Sequence, residues 1–290
     1  MSFYDLFLGP FVEFDFMRRA LVGAVALVLG AAPVGVFLML RRMSLTGDAM
    51  AHAILPGAAI GYLAAGLSLP AMAVGGTIAG LGVALGAGAL TRSTVLREDT
   101  ALAVFYLTSL ALGITIVSLR GSSVDLLHVL FGSVLALDDQ ALILIAGVAT
   151  VSLVAFAVIL RPLVLDSLDP TFLRTVSRAG APAHLAFSVL VVINLVGGFH
   201  ALGTLLAVGI MMLPAAAARF WTGELTRLVA IAAAHGLVAA YGGLVAAYHL
   251  GLPAGPAIVL AAGVLFILSL VVGRDAGLLR RWLRPRHLEA

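Results

Sequence analysis

Apolar runs long enough to cross a lipid bilayer recur along nearly the whole chain of 290 residues. A spanning helix needs about 20 consecutive apolar residues. With 62% hydrophobic and 11% charged residues, the chain lacks the charged surface that a soluble protein of this length needs. The runs occupy residues 20–40, 44–67, 70–91, 99–118, 139–160, 183–200, 203–219, 226–249 and 254–273. The sequence therefore predicts an all-α, polytopic transmembrane helical bundle of about nine spans, with eight as the alternative.

Arginine positions predict how these helices are oriented. The first run is followed at once by Arg41-Arg42, whereas a cleavable signal peptide has a shorter apolar run with its positive charge before it, so we expect a retained helix. With nine crossings and the N-terminus outside, 14 of the 17 basic residues, all arginines, fall on the cytoplasmic side. Only Arg18, Arg19 and Arg120 fall outside. By the positive-inside rule, the C-terminus is predicted to be cytoplasmic.

The longest polar connection, Arg161–Pro182, falls on the cytoplasmic side in this topology. Asp169 is suited to cap the N-terminus of a helix, and Pro170 is suited to the first helical position. Gly180 is typical of a C-terminal stop. These signals predict a short helix from Pro170 to about residue 179.

This short helix is predicted to have two different faces. Phe172, Leu173 and Val176 form one apolar stripe, and Arg174 and Arg178 lie on another face. Such a helix either presses into a groove on a soluble partner or lies on lipid headgroups. The pattern alone leaves both interpretations open.

Two ionisable side chains stand near the start of the second apolar run, in RRMSLTGDAMAHAILPG. Asp48 and His52 are four residues apart, so a helix places them on one face. His52 lies roughly 12 Å beyond Ser44, inside a hydrocarbon core about 30 Å thick. Pro56 has no N–H, which is expected to free the His52 carbonyl. Ionisable groups at such depth usually face a polar cavity, and imidazole with carboxylate suits Zn²⁺, Mn²⁺ or Fe²⁺.

A purely structural interpretation of the same residues stays open. Asp48 can pair with Arg41 or Arg42 at the cytoplasmic interface, while His52 forms a hydrogen bond to a neighbouring helix. In that case neither side chain has a role in binding an ion. Histidines without an acidic neighbour are predicted to be structural: His235 and His249.

Other polar residues near the predicted outer face also have two explanations. His200, in GGFHALGT, is either a ligand at a metal entrance or a solvated turn residue. The apolar stretch Val124–Leu137 is too short to span comfortably and is predicted to lie at, or dip into, this face. Its Asp125 and His128, close to Asp138-Asp139, would concentrate cations, although the polarity of the interface also explains them.

Five stretches resemble the ABC-3 family of permeases, the membrane subunits of bacterial zinc, manganese and iron importers. The signature-like stretch is LRRMSLTGDAMAHAILPG at residues 40–57. Others follow in the family's order: EDTALAVFYLTSLALGI at 98–114, DLLHVLFGSVLAL at 125–137, DPTFLR at 169–174 and GTLLAVGIMMLPAAAARF at 203–220. The resemblance covers most of the chain.

The resemblance implies one permease domain over residues 1–290, similar to type II ABC importers, in the inner membrane of a bacterium. It implies that Asp48 and His52 belong to the metal path and that the segment 161–182 contacts cytoplasmic ATP-binding subunits. The contact residues it suggests are Asp169, Pro170, Phe172, Leu173 and Arg174. It also implies a homodimer, an extracytoplasmic metal-binding protein, no permanently bound cofactor, and Zn²⁺, Mn²⁺ or Fe²⁺ as the transported substrate. The arginines lie at the ends of apolar runs, so no nucleic-acid partner is predicted.

Two other functions remain open. Permeases for chelated iron or cobalamin normally have an additional N-terminal span and a different motif after it, so Arg41–Pro56 disfavours them. A membrane-embedded enzyme could use Asp48 and His52 as an acid–base pair. The sequence lacks HExxH, GxSxG and the ATP-binding GxxxxGK[ST]. The leading prediction is a divalent transition-metal permease, with ATP hydrolysis on a separate subunit.

Overall fold

The computed structural model describes residues 3–66, 68–95, 98–119, 134–169, 172–173, 175, 177 and 179–279. Within these residues the chain is helical, with short turns between the helices, and the predicted all-α fold class is confirmed. A short 3₁₀ helix spans Val134–Ala136. The α-helices are α1 (Phe3–Phe7), α2 (Gly9–Glu13), α3 (Asp15–Leu40), α4 (Ser44–Ala53), α5 (Leu55–Ala65), α6 (Leu69–Ser93), α7 (Glu98–Leu119), α8 (Asp139–Leu168), α9 (Gly180–Leu202), α10 (Thr204–Ala218), α11 (Leu225–Leu250) and α12 (Ala254–Val272).

Every apolar run found in the sequence corresponds to helical structure. In the part of the chain that the structure describes, six helices are long and apolar enough to cross a membrane, namely α3, α6, α8, α9, α11 and α12. The apolar parts of α7 and α10 are shorter, and the second run is divided into α4 and α5. Nine crossings therefore stay a prediction.

Helix α3 lies at the centre of the bundle. Of the 18 most apolar consecutive residues of α3, 72% are buried, compared with 22% of those of α8. It packs against α8, α10 and α11. A Cβ atom on Gly35 would lie 1.8 Å from the carbonyl oxygen of Met211, so the backbones of α3 and α10 touch directly. Small residues allow such close approach between transmembrane helices.

Helices α5 and α6 form a hairpin that is packed in the same way. A Cβ on Gly57 would lie 2.0 Å from the carbonyl oxygen of Gly75, and one on Gly61 would lie 2.4 Å from that of Ala71. The two glycines of α5 are four residues apart, so they form one small-residue face. The chain leaves α5 at Gly66, whose φ of +65° is favourable for glycine.

Helix α3 ends in a turn that usually contains glycine. Arg42 has a φ of +60°. Its N–H donates to the carbonyl of Met39 at 3.1 Å, and the N–H of Met43 donates to the carbonyl of Leu38 at 2.8 Å. This pair of hydrogen bonds is the Schellman motif, with Arg42 in the left-handed position. The turn directs the chain from α3 back into the bundle as α4.

Several polar residues where α3 and α8 begin, and His235 in the first half of α11, have structural partners. Asp138 caps α8 by accepting a hydrogen bond from the N–H of Ala141 at 2.8 Å, and Asp139 pairs with Arg19 at 2.8 Å. His249 donates from Nε2 to the carbonyl of Leu6 at 2.8 Å. His235 contacts the carbonyl of Ile231 and the hydroxyl of Ser269, so both histidines are structural as predicted. Asp125 and His128 lie outside the described residues.

The connection between α8 and α9, predicted to be cytoplasmic, is shorter than the sequence suggested. Helix α8 continues through Arg161 and Pro162 to Leu168, and α9 begins at Gly180. Both ends of the predicted segment 161–182 therefore lie within helices. Gly180 is the first residue of a helix and has no positive φ, so it does not end the preceding segment as a left-handed glycine would.

Candidate metal site

Asp48 and His52 lie on α4, just before the helix is interrupted. Helix α4 ends at Ala53 and α5 begins at Leu55, with Pro56 in its first turn. The interruption follows from proline, which cannot donate to the carbonyl four residues earlier. The expectation that the His52 carbonyl stays free is wrong, because the Ile54 N–H donates to it.

Helix α7 supports this interruption from one side. The hydroxyl of Ser109 donates to the carbonyl of Ala53 at 3.0 Å. A Cβ on Gly113 would lie 3.0 Å from the nitrogen of Pro56, so the backbone of α7 reaches the break directly. The ring of Tyr106 stacks on His52 with 6.3 Å between centroids. Tyr106, Ser109 and Gly113 share one face of α7, so the stretch 98–114 provides the residues that contact the α4 motif.

The Asp48–His52 pair is open. The distance from His52 Nε2 to Asp48 Oδ1 is 3.8 Å, too long for a hydrogen bond. Metal–ligand bonds of about 2.0–2.2 Å place two ligands of one ion at most about 4.3 Å apart, so both atoms can bind the same ion. The side chain of Asp48 is 64% exposed and that of His52 31%. His52 Nδ1 is buried without a hydrogen-bond partner among the described residues.

The described residues supply only part of a metal coordination sphere. Among the described residues, no group of three or more histidine, aspartate or glutamate side chains could hold an ion. Transition metals usually take four or more ligands. The predicted third ligand, His200, lies in the last turn of α9, but its side chain is outside the described residues. Asp48 and His52 are thus the part of the candidate site that the structure describes.

The structural alternative for Asp48 finds no support in the described residues. Arg41 forms an ion pair with Asp166 instead, and no described ion pair joins Asp48 to Arg41 or Arg42. The ring of His52 stacks on Tyr106 rather than forming a hydrogen bond to another helix. The two side chains therefore retain their capacity to bind an ion.

Arg41 is the centre of a polar cluster that the sequence did not reveal. Its Nε donates to the hydroxyl of Ser167 at 3.1 Å, and its guanidinium contacts Nδ1 of His184 at 2.9 Å. It pairs with Asp166 and lies 5.3 Å from the ring centre of Phe187. The polar partners are 125 to 143 residues away in sequence. The sequence signal was Asp166 itself, an acid between apolar residues in PLVLDSL.

The connection after α8 has one predicted feature in place. The Asp169 carboxylate accepts a hydrogen bond from the N–H of Phe172 at 2.9 Å, so its role as a helix cap is confirmed. The apolar stripe is divided, because Phe172 is 51% exposed and Leu173 only 3%. Pro170 and Arg174 lie outside the described residues.

Comparison with known proteins identifies the family to which the chain belongs. The model of the ABC 3 transport family matches residues 13–273. The chain is 32% identical over 266 residues to the manganese import system permease protein ScaB of Streptococcus parasanguinis, covering 92% of this chain and 94% of ScaB. It is 28% identical over 274 residues to a Haemophilus influenzae protein named "Probable iron transport system membrane protein", covering 93% and 98%.

A solved structure has the same fold. The chain superimposes on PsaBC from Streptococcus pneumoniae, solved in complex with Fab, with a TM-score of 0.83 and 29% identity over 95% of this chain and 98% of that chain. The helical membrane fold and the relatives together define the class of protein, a membrane permease. More specifically, the chain belongs to the ABC 3 transport family. Its relatives are permeases, so the interpretation as a membrane-embedded enzyme is excluded.

Proposed function

We propose that the chain is the membrane-spanning subunit of an ATP-driven importer of Mn²⁺ or Fe²⁺, which bind transiently to Asp48 and His52. The observation that carries the proposal is the open carboxylate–imidazole pair on α4. The names of ScaB and of the Haemophilus influenzae relative support manganese and iron as cargo. Zn²⁺, which the sequence resemblance also implied, remains a competing ion for the experiment.

A site to which the described residues contribute two ligands suits transport better than storage. A transported ion must leave again, so its site has to be weaker than a closed structural site. Nitrogen and carboxylate oxygen are ligands that Mn²⁺ and Fe²⁺ accept. The remaining ligands come from water, from a second chain or from His200, whose side chain lies outside the described residues.

A second copy of the chain accounts for the exposure of Asp48. The side chain of Asp48 is 64% exposed in a single chain, which leaves room for a second copy beside α4. A homodimer in which the two α4 helices face each other provides two carboxylates and two imidazoles. The mass of the purified permease complex tests this proposal, since a complex with one copy of the chain contradicts it.

The orientation belongs to the same proposal. The single permease domain has its N-terminus outside and its C-terminus in the cytoplasm of a bacterium, with the connection around Asp169–Gly180 facing the ATP-binding subunits. An extracytoplasmic protein delivers the ion. Support comes from the distribution of arginines and from the family. Reporters fused near residue 5 and after residue 290 test it, and periplasmic activity of the second fusion contradicts it.

Ion flux through the complete transporter tests the proposed function. Permease, ATP-binding subunits and delivery protein are reconstituted in proteoliposomes, and ATP-dependent uptake of Mn²⁺, Fe²⁺ and Zn²⁺ is measured. Asp48→Asn keeps the size and removes the charge, and His52→Leu removes the imidazole. Each substitution should lower uptake to below about one tenth of wild type without changing assembly.

Matched controls come from outside the candidate site. Asp15→Asn removes an exposed carboxylate that pairs with Arg18 and Arg19, and His249→Leu removes an exposed imidazole. Both variants should transport at close to the wild-type rate. Near wild-type uptake in Asp48→Asn and His52→Leu would show that these residues are structural, and the proposed site would be abandoned.

Docking of the ATP-binding subunits depends on Phe172 in this proposal. Its side chain is 51% exposed beside the Asp169 cap, whereas Leu173 is buried. Phe172→Asp should abolish co-purification of the ATP-binding subunit while the permease remains folded. Thr175→Asp, at another exposed position of the same connection, is the control. Undiminished co-purification with Phe172→Asp counts against this docking surface.

A further inference from the structure

Arg41 connects three helices through one side chain that is 8% exposed. It reaches Asp166 and Ser167 at the end of α8, and His184 in the first turns of α9. A guanidinium can only donate hydrogen bonds, so Nδ1 of His184 accepts. The neutral imidazole then carries its hydrogen on Nε2. Three different nitrogens of one planar guanidinium therefore bind Ser167, His184 and Asp166.

The connection after α8 rests on this cluster. Leu173 is 3% exposed, and its Cδ2 lies 3.2 Å from the position that a Cβ on Gly180 would occupy. Asp166 Oδ1 lies 3.5 Å from the same position. Leu173 and Asp166 thus converge on the first residue of α9.

A small cavity separates the cluster from α4. It has a volume of about 30 Å³, and its lining includes His184 and Phe187 of α9 and Thr46 and Met50 of α4. Close-packed interiors transmit strain but resist rearrangement. His184 and Phe187 therefore lie close to α4 without filling the space beside Thr46 and Met50. Arg41 itself is also joined to α4 by the tight turn at Arg42.

From these contacts we propose that Arg41 is a positioning residue for transport. It passes a displacement of the connection at Leu173 through Asp166 and His184 to α4, the helix of the candidate metal site. The inference rests on the proposed function, in which ATP-binding subunits act on this connection. Lysine cannot replace Arg41, because a compact ammonium group cannot reach three partners at once.

The efficiency of coupling tests this role in the complete transporter. Mn²⁺ imported per ATP hydrolysed is measured in proteoliposomes. Arg41→Lys should lower this ratio at least about five-fold, while ATP hydrolysis stays within about two-fold of wild type. His184→Leu should have a similar effect. His184→Gln should restore more than half of the wild-type ratio, because its amide oxygen still accepts from Arg41.

Two further variants separate coupling from stability. Arg227→Gln breaks an exposed ion pair with Glu224, 2.9 Å apart, and should leave the ratio unchanged. His184→Leu keeps the Arg41–Asp166 ion pair, so it carries the test if Arg41→Lys does not fold. A purely structural cluster would lower the amount of folded protein without changing the ratio.

A second measurement does not depend on the cargo. The chain has no cysteine, so Asp48→Cys provides a single labelling site on the exposed side of α4. ATP should change its labelling rate with a thiol reagent, and Arg41→Lys should remove that change. A wild type that imports neither Mn²⁺ nor Fe²⁺ would contradict the proposed function, while the labelling would still test the role of Arg41. An unchanged coupling ratio and unchanged ATP-dependent labelling in Arg41→Lys would overturn the inference.

Discussion

Two ionic groups lie seven residues apart in this chain and are built in opposite ways. Arg41 is 8% exposed and is bound by Asp166, Ser167 and His184. Asp48 is 64% exposed, and its nearest ionic partner, His52, is 3.8 Å away with one nitrogen unpaired. A buried polar network stabilises a fold when every member has a partner. In the second group, the exposed Asp48 carboxylate and its 3.8 Å separation from His52 Nε2 leave both side chains available to an ion.

The comparison predicts the largest loss of stability at the Arg41 cluster. Asp166→Leu leaves a buried guanidinium without its carboxylate and should destabilise the permease by about 3 kcal/mol. Asp48→Asn should stay within about 0.5 kcal/mol, because its carboxylate is exposed. Thermal unfolding in detergent measures both variants. Equal losses would mean that the two groups do not differ in their structural role.

Added metal should stabilise the protein through the Asp48–His52 pair. Mn²⁺ at about 100 times its dissociation constant should stabilise the wild type by about 2.7 kcal/mol. His52→Leu should remove this gain, while Asp166→Leu should keep it, since Asp166 lies outside the candidate site. The shift in melting temperature with increasing Mn²⁺ checks the prediction. A metal-dependent shift that survives in His52→Leu would place the ion elsewhere.

The turn between the two groups is predicted to tolerate glycine but not a β-branched residue. Arg42 has a φ of +60°, which costs a non-glycine residue roughly 1–2 kcal/mol and is worst for valine. Arg42→Val should therefore destabilise the protein by about 1 kcal/mol relative to wild type, and Arg42→Gly should be neutral or slightly stabilising. Thermal unfolding of the two variants compares them directly. The opposite order would contradict the left-handed turn.

The smallest effect concerns the support of the broken helix. Ser109→Ala removes the hydrogen bond to the Ala53 carbonyl and should cost about 1 kcal/mol. Thr108→Val is the control, because the Thr108 hydroxyl donates only within its own helix, to Val104 at 2.8 Å. Ser109→Ala should also weaken Mn²⁺ binding, which calorimetry can measure. Identical behaviour of the two variants would show that Ser109 does not support the site.

The sequence predicted those features that depend on neighbouring residues. Apolar runs located the helices, and the spacing of four residues placed Asp48 and His52 on one face. Asp169 was recognised as a cap because its partner, the N–H of Phe172, is three residues away. Each of these signals depends on helix geometry alone.

Features that depend on packing could not be predicted in the same way. Arg41 was interpreted as a topology signal, since Asp166 and His184 are more than a hundred residues away along the chain. Phe172 and Leu173 belong to one apolar stripe, and only the proximity of Gly180 shows that Leu173 is buried. The end of α8 was placed too early because Arg161 and Pro162 resemble a helix terminus, yet the helix continues through both.

The contact between Gly57 and Gly75 restricts how the site can move. Where two backbones touch, no side chain lies between them that could change its rotamer, so α5 cannot slide along α6 without separating from it. Helices α5 and α6 are therefore expected to move together as one rigid unit. The helical hydrogen bonding is interrupted between α4 and α5, at Ile54 and Pro56, so this is where the α5–α6 hairpin can bend relative to α4. Bending there changes the direction of α4, and with it the distance between His52 and any ligand on another helix.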